Sequence, residues 1–97
     1  MTYCTMVEFE WNKGLDRERF AGLLDSAGAG QAVPEGRLSR IVGIDDTGAR
    51  VIEIWDSSDD ARAFAEQSAP ALASVHMPQP ARVTGFETTA YWAAPAG

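Results

Sequence analysis

From Tyr3 to Trp11 apolar and polar positions alternate with a period of two, which sets Tyr3, Thr5, Val7, Phe9 and Trp11 on one face and Cys4, Met6, Glu8 and Glu10 on the other. This predicts a first strand. Asp16 then stands at a helix N-cap, with Phe20, Leu23, Leu24 and Ala27 at i, i+3, i+4 and i+7 behind it and Leu15 placed to staple onto Phe20. Gly28 is the expected end of that helix. Residues 28–36 are rich in Gly, Ala and Pro without periodicity and read as a mobile connection. Two strand patterns follow, Arg37 to Asp45 and Ala49 to Trp55, joined by an Asp-Asp-Thr-Gly turn that signals an antiparallel hairpin.

The run Arg50–Phe64 carries the second of these strands straight into a capped amphipathic helix. Ser57 is its N-cap and Asp60 occupies the reciprocal capping-box position, while Ala61, Phe64, Ala65 and Ser68 form the buried stripe. Pro70 is expected to end or kink this helix and to start a short further turn through Leu72 and Val75. Pro78 and Pro80 force an extended crossing into a last strand from about Ala81 to Trp92. The Ala-Ala-Pro-Ala-Gly tail is expected to be poorly ordered.

The resulting order, βαββαβ, is the ferredoxin-like α+β arrangement, a four-stranded antiparallel sheet with both helices on one face. The 97 residues are expected to form one domain. Two helices cover one face only, yet apolar residues occur on both: Ile52 and Ile54 alternate with Val51 and Trp55, and Val42 and Ile44 with Ile41. A monomer would expose several hundred Å² of contiguous apolar surface, more than soluble monomers usually carry. The expectation is a homodimer through the helix-free sheet face.

Charge narrows the partners. Fourteen acidic against eight basic residues give a net charge of −6, a field that repels nucleic acid and anionic membrane surfaces. No apolar run approaches the ~20 residues of a spanning helix. Met1 leads into a strand pattern with no signal-peptide features, and the single cysteine, Cys4, has no disulfide partner in the chain, so a cytoplasmic location is expected. No cysteine/histidine zinc spacing occurs. The pairs Asp45-Asp46 and Asp59-Asp60 read as turn and first-turn helix chemistry, so neither a metal nor another cofactor is expected.

Three residues are candidates for catalysis. His76, the only histidine, has an unperturbed pKa near neutrality and suits proton transfer; a surface role is the alternative. Arg40 shares a strand face with Leu38, Val42 and Ile44, so its guanidinium either pairs with Glu53 or Glu8 or anchors a carboxylate, phenolate or enolate of a ligand. Glu53 interrupts the Val51–Trp55 face and acts either as a base with a raised pKa or as an ion-pair partner. Among the aromatic residues, Trp55, Tyr3, Phe64 and Phe86 are the candidates for a flat apolar pocket, with core filling the alternative for each. Cys4, beside Met6, reads as a small buried apolar group.

The βαββαβ order, with Trp55-x-Ser57 at the end of the third strand and Phe64 on the helix that follows, resembles the dimeric α+β barrel superfamily over nearly the whole chain. Pro34-x-Gly36, the hairpin, Trp55-Asp56-Ser57 and Pro70-Ala71-Leu72 look like a group of small actinobacterial-type proteins of unsettled function, similar to the antibiotic biosynthesis monooxygenases. That superfamily also holds haem-degrading enzymes, muconolactone isomerases and polyketide cyclases. The resemblance implies a homodimeric enzyme that oxygenates, cyclises or isomerises a small aromatic or polyketide-like compound without metal or bound flavin. A non-catalytic small-molecule-binding or interaction protein is the alternative. Two departures stand out: the asparagine such monooxygenases carry four residues before the tryptophan is Val51 here, the only asparagine being Asn12 in a loop, and the strand-one asparagine and helical histidine of the haem-degrading relatives have no counterpart that can be placed.

Overall fold

A computed structural model describes residues 2–28 and 33–92, with backbone only at 27 and 28. Its elements are β1 (Tyr3–Glu10), α1 (Arg17–Gly28), β2 (Arg37–Ile44), β3 (Gly48–Trp55), α2 (Ser58–Ser74) and β4 (Arg82–Glu87). The four strands form one sheet in the order β2-β3-β1-β4, every neighbouring pair antiparallel. This is the ferredoxin-like α+β fold. Part of the expected mobile connection (29–32) and the tail (93–97) lie outside the described residues.

Local chemistry sets the element ends. The Asp16 carboxylate accepts the Arg19 N–H at 2.8 Å, capping α1. Leu15 and Phe20, each 2 % exposed, are buried in one cluster with Phe9, Ala49 and Val51, so the predicted staple is part of the core. Ser57 caps α2 from an extended backbone, accepting the Asp60 N–H at 3.1 Å. The Asp60 carboxylate accepts from the Ser57 hydroxyl, 3.1 Å away. In the hairpin turn, Asp45 Oδ1 accepts from the Thr47 N–H, the Thr47 hydroxyl and the Gly48 N–H.

Two boundaries depart from the sequence reading. The second helix does not end at Pro70 but runs through it to Ser74. Pro70 removes only the hydrogen bond to the Glu66 carbonyl, and both residues are exposed, so water can serve that carbonyl. The last strand stops at Glu87, short of Trp92, because its partner runs out: Tyr3 faces Glu87, and beyond it Thr88 bonds to Thr2, its N–H donating to the Thr2 carbonyl at 2.9 Å and its hydroxyl to the same carbonyl at 3.1 Å.

The register sorts the helix-facing side of the sheet into rows that cross all four strands. One row is Arg40, Glu53, Thr5 and Gly85; the next, toward the core, is Val42, Val51, Val7 and Val83. Beyond it Ala49 and Phe9 are buried with Phe20, and Leu23, Leu24 and Met77 pack on that core, while Ile44, beside Ala49 on the edge strand, stays exposed. The helix-free side has two mostly apolar rows, Ser39-Ile54-Cys4-Phe86 and Ile41-Ile52-Met6-Thr84, bordered by Gly43-Arg50-Glu8-Arg82. Ile41 is 61 % and Phe86 50 % exposed there.

Gly36 ties three elements together. Its φ is 82°, its carbonyl accepts the Asp56 N–H at 2.8 Å, and the Asp60 side chain occupies the space a β-carbon would need. Gly36→Ala is expected to cost about 1–2 kcal/mol from the left-handed backbone alone, and more from the crowding. A thermal melt that leaves the midpoint unchanged would contradict this.

Candidate functional site

The polar chemistry of the helix-facing side gathers at the Trp55 end of the sheet, in the row Arg40-Glu53-Thr5-Gly85 and the adjoining row Arg37-Trp55-Tyr3-Glu87. Four of the seven candidate residues, Arg40, Glu53, Trp55 and Tyr3, therefore stand side by side. Phe64 joins them from α2, its ring centroid 5.2 Å from that of Trp55.

Glu53 is 7 % exposed and lies between two guanidinium groups. Its Oε2 is 3.2 Å from Arg37 Nη1 and 3.8 Å from Arg40 Nε. The ion-pair reading of Arg40 and Glu53 is thus the geometry observed, and Arg37 is a partner the sequence reading missed. A β-bulge hides it: the register shifts between Arg37 and Ser39, leaving Leu38 as the extra residue. Strict alternation would send Arg37 and Arg40 to opposite faces; the bulge puts both toward Glu53.

Trp55 is 1 % exposed, and its indole N–H donates to the Thr5 hydroxyl oxygen at 3.2 Å. Thr5 makes no other side-chain hydrogen bond among the described residues, so its own hydroxyl hydrogen is left to donate. It opens onto a cleft of about 240 Å³ between α2 and the β1–β4 pair. Ser58, Ala61, Arg62 and Ala65 form the helix side of that cleft, and Tyr3, Val83, Thr84 and Gly85 the sheet side. The Tyr3 ring lies over Gly85, whose missing side chain leaves it room. Trp55 and Phe64 pack on each other beside the cleft without lining it.

The two remaining candidates lie elsewhere. His76 is exposed, with φ 57°, beyond the C-terminal end of α2. The 17 residues of that helix put it about 25 Å along the axis from the Trp55 end. Phe86 pairs with Cys4 on the helix-free face. Burial pushes the Cys4 thiol pKa up, away from nucleophilic character.

A second cavity of about 320 Å³ at the far end of the sheet is bordered by Glu8, Glu10, Trp11, Thr47, Arg50 and Arg82. Three of its four charged side chains are already paired: Arg50 with Asp45 at 2.7 Å and with Glu8 at 3.4 Å, and Arg82 with Glu8 at 3.7 Å. The Thr47 hydrogen bonds and the Arg50 guanidinium hold the Asp45 carboxyl well below the usual carboxylate range. With both of its cations satisfied by carboxylates, this cavity is the weaker candidate. Among the described residues no three His, Cys, Asp or Glu side chains stand together as metal ligands, and no helix is long and apolar enough to cross a membrane.

No family model and no curated protein matches the sequence. Solved structures do match. A Chloroflexus aurantiacus protein described as a candidate antibiotic biosynthesis monooxygenase superposes with a TM-score of 0.70 at 16 % identity, over 96 % of this chain and 98 % of that one. A dimeric ferredoxin-like protein of unknown function from Thermobifida fusca gives 0.63 at 19 %, over 91 % and 90 %. A dimeric ferredoxin-fold protein of unknown function from Bacteroides fragilis gives 0.64 at 14 %, over 90 % and 96 %. At such identities the likeness shows the fold, which is that of the group the sequence resembles.

Proposed function

We propose that this chain is a homodimeric small-molecule-binding protein, similar to the antibiotic biosynthesis monooxygenases in fold, that holds a small aromatic or polyketide-like compound in the cleft between α2 and the β1–β4 pair. The observation that carries the reading is the cleft's make-up: apolar surface from Ala61, Ala65, Val83 and Gly85, one aromatic ring, Tyr3, the polar side chains of Ser58, Arg62 and Thr84, and the Thr5 hydroxyl with a hydrogen to give. Volume limits the guest. About 240 Å³ is below the ~300–1,000 Å³ of drug-sized sites but above the roughly 150 Å³ that already holds benzene, so one or two rings fit.

The dimer half of the proposal rests on the helix-free face. Three strands of eight residues and one of six, spaced by ~4.8 Å and rising ~3.4 Å per residue, present roughly 500 Å², so two such faces approach the ~1,000 Å² of a specific interface. The two largely apolar rows form a self-complementary patch, and the ion-paired Arg50-Glu8-Arg82 row marks its border. The descriptions of the T. fusca and B. fragilis proteins as dimeric support the same reading.

The catalytic reading is favoured by one observation, the likeness to the C. aurantiacus protein. In it Arg40 holds an anionic oxygen while Glu53 or His76 moves a proton, during oxygenation, cyclisation or isomerisation. Binding is the better supported of the two, because none of these three residues lines the cleft. Unchanged turnover of a verified substrate by His76→Gln and Arg40→Gln would remove those roles. Binding is tested by following backbone amide resonances during titration with 2-acetylnaphthalene. Shifts centred on Thr5, Ala61, Ala65 and Gly85, lost in Ala65→Trp, are expected; no shifts, or shifts confined to the far end of the sheet, would overturn the cleft as the site.

A further inference from the structure

A hydroxyl whose oxygen already accepts a strong donor is a directed donor. The Trp55 indole N–H, on a fully buried ring packed against Phe64, fixes the Thr5 oxygen at 3.2 Å. Rotation about the Cβ–Oγ bond then points the hydroxyl hydrogen away from the indole. Thr5 lies between Glu53 on β3 and Gly85 on β4. Glu53 gives its carboxylate to Arg37 and Arg40, and no hydrogen bond joins it to Thr5. Gly85 offers no side chain, the Tyr3 ring lies over it, and Thr5 lines the cleft together with both.

We propose that Thr5 is the residue that recognises the ligand, donating its hydroxyl hydrogen to a carbonyl oxygen of a neutral, flat aromatic compound, and that Trp55 is the positioning residue that holds it. The inference rests on the cleft being the binding site. The ligand's chemistry follows from the walls. Of the lining hydroxyls, those of Tyr3, Thr5, Ser58 and Thr84, only that of Thr5 is held by an indole; the lining cation, Arg62, pairs with Asp59 at 3.7 Å, and the net charge of −6 disfavours an anion, so a neutral acceptor suits the site. Between the small residues of α2 and the sheet the space suits a planar guest, and the Tyr3 ring offers a tilted or offset aromatic contact. Thr5 is not among the candidates that the sequence singles out. Its only signal in the sequence is that it shares a strand face with Tyr3 and Val7.

The test compares two compounds of one shape, 2-acetylnaphthalene, which has the carbonyl oxygen, and 2-isopropenylnaphthalene, which has a methylene instead. The wild-type protein is expected to bind the ketone about five- to tenfold more tightly, the worth of one hydrogen bond. Thr5→Val removes this preference by weakening the ketone alone, Thr5→Ser retains it, and Trp55→Phe reduces it while the alkene still binds. Equal affinity of the wild type for both compounds would overturn the inference, needing no variant to fold. So would a Thr5→Val protein that keeps the preference or loses both compounds alike. If the wild type binds neither, the cleft reading fails, and this inference with it.

Discussion

Replacing Glu53 by alanine is expected to lower the melting temperature by roughly 12–24 °C, the combined result of about 3 kcal/mol of lost stability and 4–8 °C per kcal/mol for a domain of this size. The carboxylate itself is not the main loss. Its removal leaves Arg37, whose side chain is only 15 % exposed, without its counter-charge at 3.2 Å. A buried cation without a partner is what makes single deletions in buried pairs expensive. Arg40 provides the contrast. It is 36 % exposed and stands 3.8 Å from Glu53, so Arg40→Gln should cost less than about 1 kcal/mol. Thermal unfolding of the two variants checks the asymmetry: equal, small effects would mean that the cluster contributes little to the fold.

The second large effect is expected on the opposite face. Ile52 sits in a central strand between Ile41 and Met6, in the middle of the helix-free surface. Ile52→Asp would put a carboxylate at the centre of the proposed interface, where it has no cation in its own row. Its desolvation should raise the dimer dissociation constant by at least a hundredfold, about 2.7 kcal/mol. In a monomer the same position is half-buried and faces water, so the fold itself should survive, as circular dichroism would show. A dimer that persists in this variant would place the contact elsewhere.

Much of the architecture was legible because short-range chemistry and long-range packing agree. The alternation of β1, the Asp16 and Ser57 caps, the Leu15–Phe20 contact and the Asp45 turn are local patterns that the fold uses without change. Misreadings arose where the deciding partner is distant. Pro70 stays inside α2 because the carbonyl it deprives is on an exposed stretch, and β4 ends where β1 begins, neither of which a local window reveals.

The site was legible in part. Arg40, Glu53, Trp55, Tyr3 and Phe64 converge at one end of the sheet, as their strand parity and helix position allow. Arg37 was hidden by the bulge, and Phe86 falls on the other face because its parity is set by pairing with Cys4. His76 was singled out for its chemistry alone, and its position past the end of α2 separates it from the cleft. Thr5 was overlooked because an unremarkable hydroxyl acquires meaning only through the indole that holds it and the glycine beside it.

The homodimer is the claim on which the account of this surface rests, and sedimentation equilibrium of the wild-type protein at micromolar concentration tests it most directly. The expected mass is twice the 10.4 kDa of one chain. A species of single-chain mass across that range would mean that water covers Ile41, Ile52 and Phe86, contradicting the pairing of two sheets.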